Sequence, residues 1–415
     1  MNLIALIIII ALATEYLLQS IAAVLNLRAL RKPVPEEFRG SLDESEAEKS
    51  RAYTRANTRV SIASSAFFFV LLLLFWFAGG FNLLDQWVRS LGWGEILTGL
   101  IYIGILMLAR MVLALPFSIW STFVVEEKFG FNRTTPTTFL ADRLKGLLVT
   151  IAIGGPLLAA ILAFFTWGGD LAWLWAWIGV TLFMLAVQFI APAWIMPLFN
   201  EFKPLEDESL RKKIHDYAES VGFPFQGVWV MDGSRRSGKS NAFFTGFGKN
   251  KRIALFDTLV EQHEERELLA IVAHEVGHYK LRHIPKNSIL SILQTGVLFA
   301  LLQFFLLEPA LYNAFFMEEI SIYAGLLFFG LLYSPVELIL SVGMQALSRK
   351  YEFEADAFAA STTEDPEGMV QALKKLSKDN LSNLNPHPLH VFLNYSHPPV
   401  LERIEAIRAV APARG

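Results

Sequence analysis

The sequence predicts a mainly α-helical, multi-pass membrane protein: seven transmembrane helices, with a small α+β unit outside them. Three observations predict it. Hydrophobic residues fill 53% of 415 positions and charged ones only 18%, too little charge to coat a soluble globule of this size. Seven apolar runs of about 20 residues are long enough to cross a bilayer. The basic residues between those runs alternate, loop by loop, between many and few, as the positive-inside rule expects.

In order, the runs are Leu3 to Leu25, Val60 to Phe77, Ile96 to Ile119, Leu147 to Phe165, Leu171 to Leu198, Ile289 to Leu307 and Ile322 to Leu347. The first lacks a basic n-region, is long, and is followed by Arg28, Arg31 and Lys32, so it reads as a retained anchor rather than a cleaved signal. Residues 28 to 59 carry eight Lys/Arg, the next loop only Arg89, and Lys128, Arg133, Arg143 and Lys145 precede the fourth run. Residues 166 to 170 carry none, 200 to 285 carry thirteen, and 308 to 321 none. The N-terminus is therefore expected outside and the C-terminus on the cytoplasmic side. Glu15, Arg110 and Glu337 lie within runs, where ionisable groups face a bundle interior or a watery cavity; a packing pair between Arg110 and a glutamate is the simplest use of them.

Residues 200 to 285 form the inserted soluble unit. Asp207 to Val221 has amphipathic helical spacing, and Gly227 to Met231, Ser240 to Phe247 and Arg252 to Val260 read as strands between Gly-rich or basic turns. A helix over 264 to 283 follows, with acidic residues at its positive end. The tail holds helices at about Leu347 to Ser361 and Glu367 to Leu376, a Pro/His/Asn loop, and a closing helix from Pro399. The expected division is 1–199 (five spans and their loops), 200–285 (soluble α/β segment), 286–347 (two spans) and 348–415 (cytoplasmic remainder of the soluble domain).

The chemistry centres on His274-Glu275-Val276-Gly277-His278. On a helix, residues four apart lie one turn above each other, so both imidazoles face one side and can hold one Zn²⁺, with Glu275 within reach of a water as general base. His283 is a poor third ligand: on a continuous helix it sits about 180° from His274, and an interfacial role suits it better. Glu352 is the better one. In Tyr351-Glu352-Phe353-Glu354-Ala355-Asp356, Glu352 and Asp356 share a helical face while Glu354 points elsewhere. Glu352 would ligate, Asp356 would accept the free N–H of a ligand imidazole, and a fourth position would stay open, as in catalytic zinc sites. His387 and His390 mimic a second metal pair, but the intervening Pro388 disfavours a shared helical face.

Six stretches carry a resemblance: Thr122-Phe-Val-Val-Glu-Glu-Lys-Phe-Gly-Phe-Asn132, Pro197-Leu-Phe-Asn200, Ser240-Asn-Ala-Phe-Phe-Thr-Gly246, the HEVGH and EFEAD runs, and Ser396-His-Pro-Pro-Val-Leu-Glu-Arg403. Together with the seven-span layout they resemble the type I CaaX prenyl proteases, integral-membrane zinc endopeptidases of the gluzincin kind. The resemblance implies seven transmembrane helices enclosing an aqueous chamber, with a small cytoplasmic zinc metalloprotease domain opening into it. It implies one Zn²⁺ per chain and a peptide or protein substrate, with prenylated ones among the candidates. It also implies an edge strand at Asn241, Ala242 and Phe243 that pairs with the substrate backbone, His397 at the oxyanion, and Arg403 supporting the site.

Gly233-Ser-Arg-Arg-Ser-Gly-Lys-Ser240 matches the P-loop pattern, yet a P-loop needs a helix starting at Lys239 and the following residues are β-rich. No nucleotide is therefore expected, and a net charge of −3 gives no reason to expect nucleic acid. Without cysteine there is neither a disulfide framework nor a thiolate metal site. Competing readings are a quality-control protease of misfolded membrane proteins, a transporter with a nucleotide-binding unit, and a receptor or scaffold with a closed structural metal site. The sequence closes Ala-Pro-Ala-Arg-Gly without a lysine retrieval signal, which leaves bacterial inner membrane and endoplasmic reticulum equally compatible.

Overall fold

The computed structural model describes residues 2–224, 226–245 and 252–410. Among them, seven helices are long and apolar enough to span a membrane: Leu3–Ala29, Glu44–Phe77, Glu95–Phe129, Pro136–Trp167, Gly169–Leu198, His283–Phe305 and Ile322–Thr362. Each overlaps one apolar run of the sequence. The second extends well outside its run because Asp43 and Glu46 form a reciprocal capping box ahead of its polar first half. The seventh runs 41 residues without a break, so the expected tail helix near 347–361 is its extension.

The spans pack tightly at one end only. Trp76, Phe81, Tyr102, Leu162, Phe315 and Phe328 form a buried plug at the ends away from the soluble unit. Within it the Trp76 indole N–H donates to the Ala314 carbonyl at 2.8 Å and Phe315 stacks on Phe328 at 3.9 Å. Two short helices that sequence reading did not anticipate, Gly80–Arg89 and Pro309–Ala314, close this end. Beyond the plug, no residue is buried over 54–75, 103–124, 136–161, 177–204 or 334–350. Helices that touched along their whole length would bury a stripe in each of these stretches. Here neighbouring spans meet only through partly exposed side chains, as where Tyr16 stacks on Phe69 at 4.6 Å, and together they surround a hollow between the plug and the soluble unit.

The expected Arg110–glutamate pair is not formed. Among the described residues no carboxylate pairs with Arg110; its guanidinium lies 4.9 Å above the Phe68 ring. A cation over an aromatic face on the neighbouring span keeps a favourable partner without crossing the hollow.

The soluble unit is built on a four-stranded sheet of order β1-β2-β4-β3, with β1 Phe202–Pro204, β2 Gly227–Met231, β3 Ala242–Thr245 and β4 Arg252–Phe256. Only β2 and β4 are parallel. β1 was not anticipated: three residues with a terminal proline carry no period-2 signal. The strand expected over 252–260 stops at Phe256 and gives way to a helix, Asp257–Gln262. The Asp257 carboxylate accepts the N–H groups of Ser234 and Thr258, both at 2.8 Å, offering the backbone a partner other than the ladder. Of the strand expected over 240–247, Gly246 and Phe247 lie outside the described residues, as does the closing Ala-Pro-Ala-Arg-Gly. One sheet face presents Val228, Ile253 and Leu255 to Leu268, Val272 and Val276 of the helix Glu265–Lys280, burying side chains worth about 1.5–3 kcal/mol each. That packing holds the HEVGH segment rigid.

Candidate active site

The helix Glu265–Lys280 begins at a capping box in which Glu264 and Glu267 satisfy each other's backbone N–H groups. Its two histidines stand one turn apart, as the spacing requires, with their Nε2 atoms 3.1 Å from each other. Glu352 reaches them from the seventh span's extension: its Oε2 is 3.5 Å from His274 Nε2 and its Oε1 3.3 Å from His278 Nε2. The two helices approach closely because Gly277 faces Ala355. A Cβ on Gly277 would lie 3.2 Å from the Ala355 Cα and carbonyl oxygen, so any larger residue would push Glu352 away.

One donor atom from each of His274, His278 and Glu352 lies within 4.8 Å of the other two. The 3.1 Å between the two Nε2 atoms and the 3.3 Å from His278 Nε2 to Glu352 Oε1 fit the edge of about 3.3 Å that a tetrahedron with 2.0–2.1 Å bonds requires. Glu352 is buried, and among the described residues its Oε2 has no hydrogen-bond partner, a costly state unless a cation satisfies it. The surroundings favour positive charge. Burial opposes charging His274, yet hydrogen bonds to Asp356 and Glu352 prevail and lift its pKa to about 9. The donor set therefore fits a divalent ion with nitrogen and oxygen ligands.

Asp356 lies one turn beyond Glu352 on the same face and accepts from His274 Nδ1 at 2.8 Å. Arg403, from the closing helix Val400–Val410, grips that carboxylate in two-pronged fashion, with Nε and Nη2 each 2.7 Å from an Asp356 oxygen. Its Nη1 also approaches Glu352 Oε2 at 3.5 Å. His397 reaches in from the loop before that helix, with Nε2 3.3 Å from Glu352 Oε1 and an otherwise exposed ring. Burial pushes the Glu275 carboxyl above its ordinary range, against the opposing pull of His274 and His278. Asn241 precedes β3 and Ala242 and Phe243 open it, the edge of the sheet that packs on the HEVGH helix. The exposed Asn241 folds its side-chain oxygen back onto the Ala242 N–H at 2.9 Å.

Two expectations need correction. The helix expected to run from 264 to 283 ends at Lys280, Arg282 takes a left-handed conformation (φ 58°), and His283 starts the sixth span. His283 therefore does not face away from the site but folds back, with its Nδ1 3.0 Å from His278 Nδ1. Glu354 points away from the metal cradle, as expected, and accepts from His283 Nε2 at 3.0 Å. The signal was present in Pro285: a proline cannot continue a helix from Lys280 but is tolerated in the first turn of a new one. By contrast, Lys239 of the P-loop-like run is engaged by Tyr53 and Glu126, and the chain enters β3 rather than a helix. His387 caps the short helix Pro388–Asn394, accepting from the Leu389 N–H at 3.2 Å, and His390 bonds Asn394.

Comparisons with known proteins match this layout along its whole length. The profile described as CAAX prenyl protease N-terminal, five membrane helices, covers residues 23–201, and that of peptidase family M48 covers 204–411. CAAX prenyl protease 1 homolog of Arabidopsis thaliana is 36% identical over 94% of each chain. CAAX prenyl protease 1 of Saccharomyces cerevisiae is 35% identical over 91% of this chain and 89% of its own. The crystal structure of S. mikatae Ste24p superposes with a TM-score of 0.93 at 33% identity, covering 98% of this chain and 99% of that one.

Proposed function

The chain belongs to peptidase family M48, among the CaaX prenyl proteases, and from that premise we propose that it is a zinc endopeptidase trimming the C-terminus of prenylated CaaX proteins at a cytoplasmic site. That it is a multi-pass membrane metallopeptidase acting on peptide or protein substrates follows from family membership and its seven spans. The single observation carrying the zinc reading is the convergence of His274, His278 and Glu352 around a common point, with Asp356 behind His274. Zn²⁺ held there would supply Lewis acidity toward the scissile carbonyl and lower the pKa of water.

The chain's own groups do the rest. Glu275 takes the proton of the attacking water and passes it to the nitrogen of the leaving amine. The His397 Nε2–H donates to the carbonyl oxygen as negative charge develops on it. Arg403 holds Asp356, and Asp356 holds the His274 ring in the tautomer that frees Nε2. The outer edge of β3, at Asn241, Ala242 and Phe243, receives the substrate as an added strand. The names of the relatives and the alternation of basic loops support the CaaX substrate and the cytoplasmic placement.

Glu275→Gln tests the general base: bound zinc should stay near one per chain while kcat/KM falls by about 10²–10⁴-fold. Near-normal cleavage by that variant would remove Glu275 from the role. Cleavage of a farnesylated CaaX peptide, compared with its unprenylated twin, tests the substrate. Equal rates would point instead to a broader enzyme that clips membrane proteins.

A further inference from the structure

The two imidazoles of the site are backed in different ways. His274 gives its Nδ1–H directly to Asp356. Among the described residues no carboxylate stands behind His278; its Nδ1 meets Nδ1 of His283 at 3.0 Å, and His283 Nε2 meets Glu354 Oε2 at 3.0 Å. The proton positions follow from the chemistry. A neutral imidazole offering the Nε2 lone pair to a cation keeps its proton on Nδ1, so His278 donates to His283. His283 then accepts on Nδ1, carries its own proton on Nε2, and donates it to Glu354. Each nitrogen has one role and both tautomers are set.

We propose that His283 and Glu354 form a positioning relay that sets the tautomer and ring orientation of His278 for the metal. The proposal rests on the reading of His274, His278 and Glu352 as the metal cradle. Its surroundings are built for fixed geometry. His283 is 2% exposed and its ring stacks on the buried Tyr351 at 4.1 Å and 8°. Tyr351 and Glu354 are three apart on one helix, so they share the face against which His283 lies. Lys350 stands 3.7 Å from the Glu354 carboxylate. A non-glycine residue rarely adopts positive φ, and Arg282 does so at the turn that brings His283 back onto His278. One helical stretch thus serves both ligands: the Glu352/Asp356 face the metal and His274, and the neighbouring Tyr351/Glu354 face His278 through His283.

The test is zinc affinity of full-length protein in detergent, stripped of metal and titrated against a chromogenic chelator, together with the visible spectrum of the Co²⁺-loaded form. His283→Phe keeps an aromatic ring on Tyr351 but removes the acceptor; Glu354→Ala removes the terminal acceptor, and Glu354→Gln keeps an oxygen there. His283→Phe and Glu354→Ala should weaken zinc binding by about 10–100-fold and shift the cobalt bands, with Glu354→Gln recovering most of the loss. Wild-type affinity and an unchanged spectrum in both would overturn the relay. If His283→Phe does not fold, the Glu354 pair decides, and equal behaviour of Ala and Gln overturns it. His278→Ala separates the layers: wild-type affinity there refutes the cradle itself. Loss in His278→Ala without loss in His283→Phe refutes the relay alone.

Discussion

At the scale of single residues, the site is governed by where charge is tolerated. Burial disfavours the ionised form of Glu275, raising its pKa from an ordinary 4.5 despite the nearby imidazoles. A general base works only when deprotonated, so a raised pKa moves the acid limb of the pH–rate profile upward. The kcat/KM profile should therefore lose activity, as pH falls, at a point above 4.5. A limb at or below that value would mean Glu275 is not the titrating base. Arg403 is the counterweight: its two-pronged grip on Asp356 keeps a buried carboxylate charged beside His274.

At the scale of elements, β3 is the strand to which the proposed function assigns the substrate. The Phe256 N–H donates to the Asn241 carbonyl at 3.0 Å, and the β3–β4 register pairs Ala242 with Leu255 and Phe243 with Ala254. Hydrogen-bonded and non-bonded pairs alternate along an antiparallel ladder, so Asn241 and Phe243 bond inward to β4. Ala242 and Phe244 then turn their backbone groups outward. The Asn241 side chain already occupies the Ala242 N–H, standing where a substrate carbonyl would bond. Ala242→Pro deletes that outward donor without touching the ladder. It should raise KM by about tenfold, the worth of one hydrogen bond, with little change in melting temperature. An unaltered KM would argue that substrate does not add to this edge.

At the scale of the molecule, the seven spans serve as a wall rather than a core. The aromatic plug at one end and the soluble unit at the other brace a hollow where the helices bury almost nothing against each other. Glu15, Arg110 and Glu337 lie along that stretch, where water, not lipid, makes charge affordable. The absence of native cysteine makes this directly measurable. Glu337→Cys, in mid-span, should react with a charged thiol reagent about as fast as a loop cysteine, because only hydrated thiols ionise readily. No reaction at that position would place it against lipid. In intact cells, Ser90→Cys should be labelled from outside and Ser361→Cys only after permeabilisation; the reverse would invert the proposed orientation.

How much was legible depended on the range of the interaction involved. Spans, loop charges and the HEVGH face are set by neighbours within a turn or a membrane thickness, so hydropathy, charge counts and helical period sufficed to read them. The pairing of Glu352 with Asp356 was readable for the same reason, being one turn of one helix. The position of His283 was not, because assuming an unbroken helix put it on the wrong side, and only Pro285 hinted at the break. Glu354, Arg110, β1 and the Gly277–Ala355 contact depended on which distant segment each would meet. The sequence alone determined which groups could bind a metal and on which helices they ride. The tertiary structure decided which carboxylate stands behind which imidazole, because that choice is made by helices crossing some seventy residues apart in the chain, where no local period reaches.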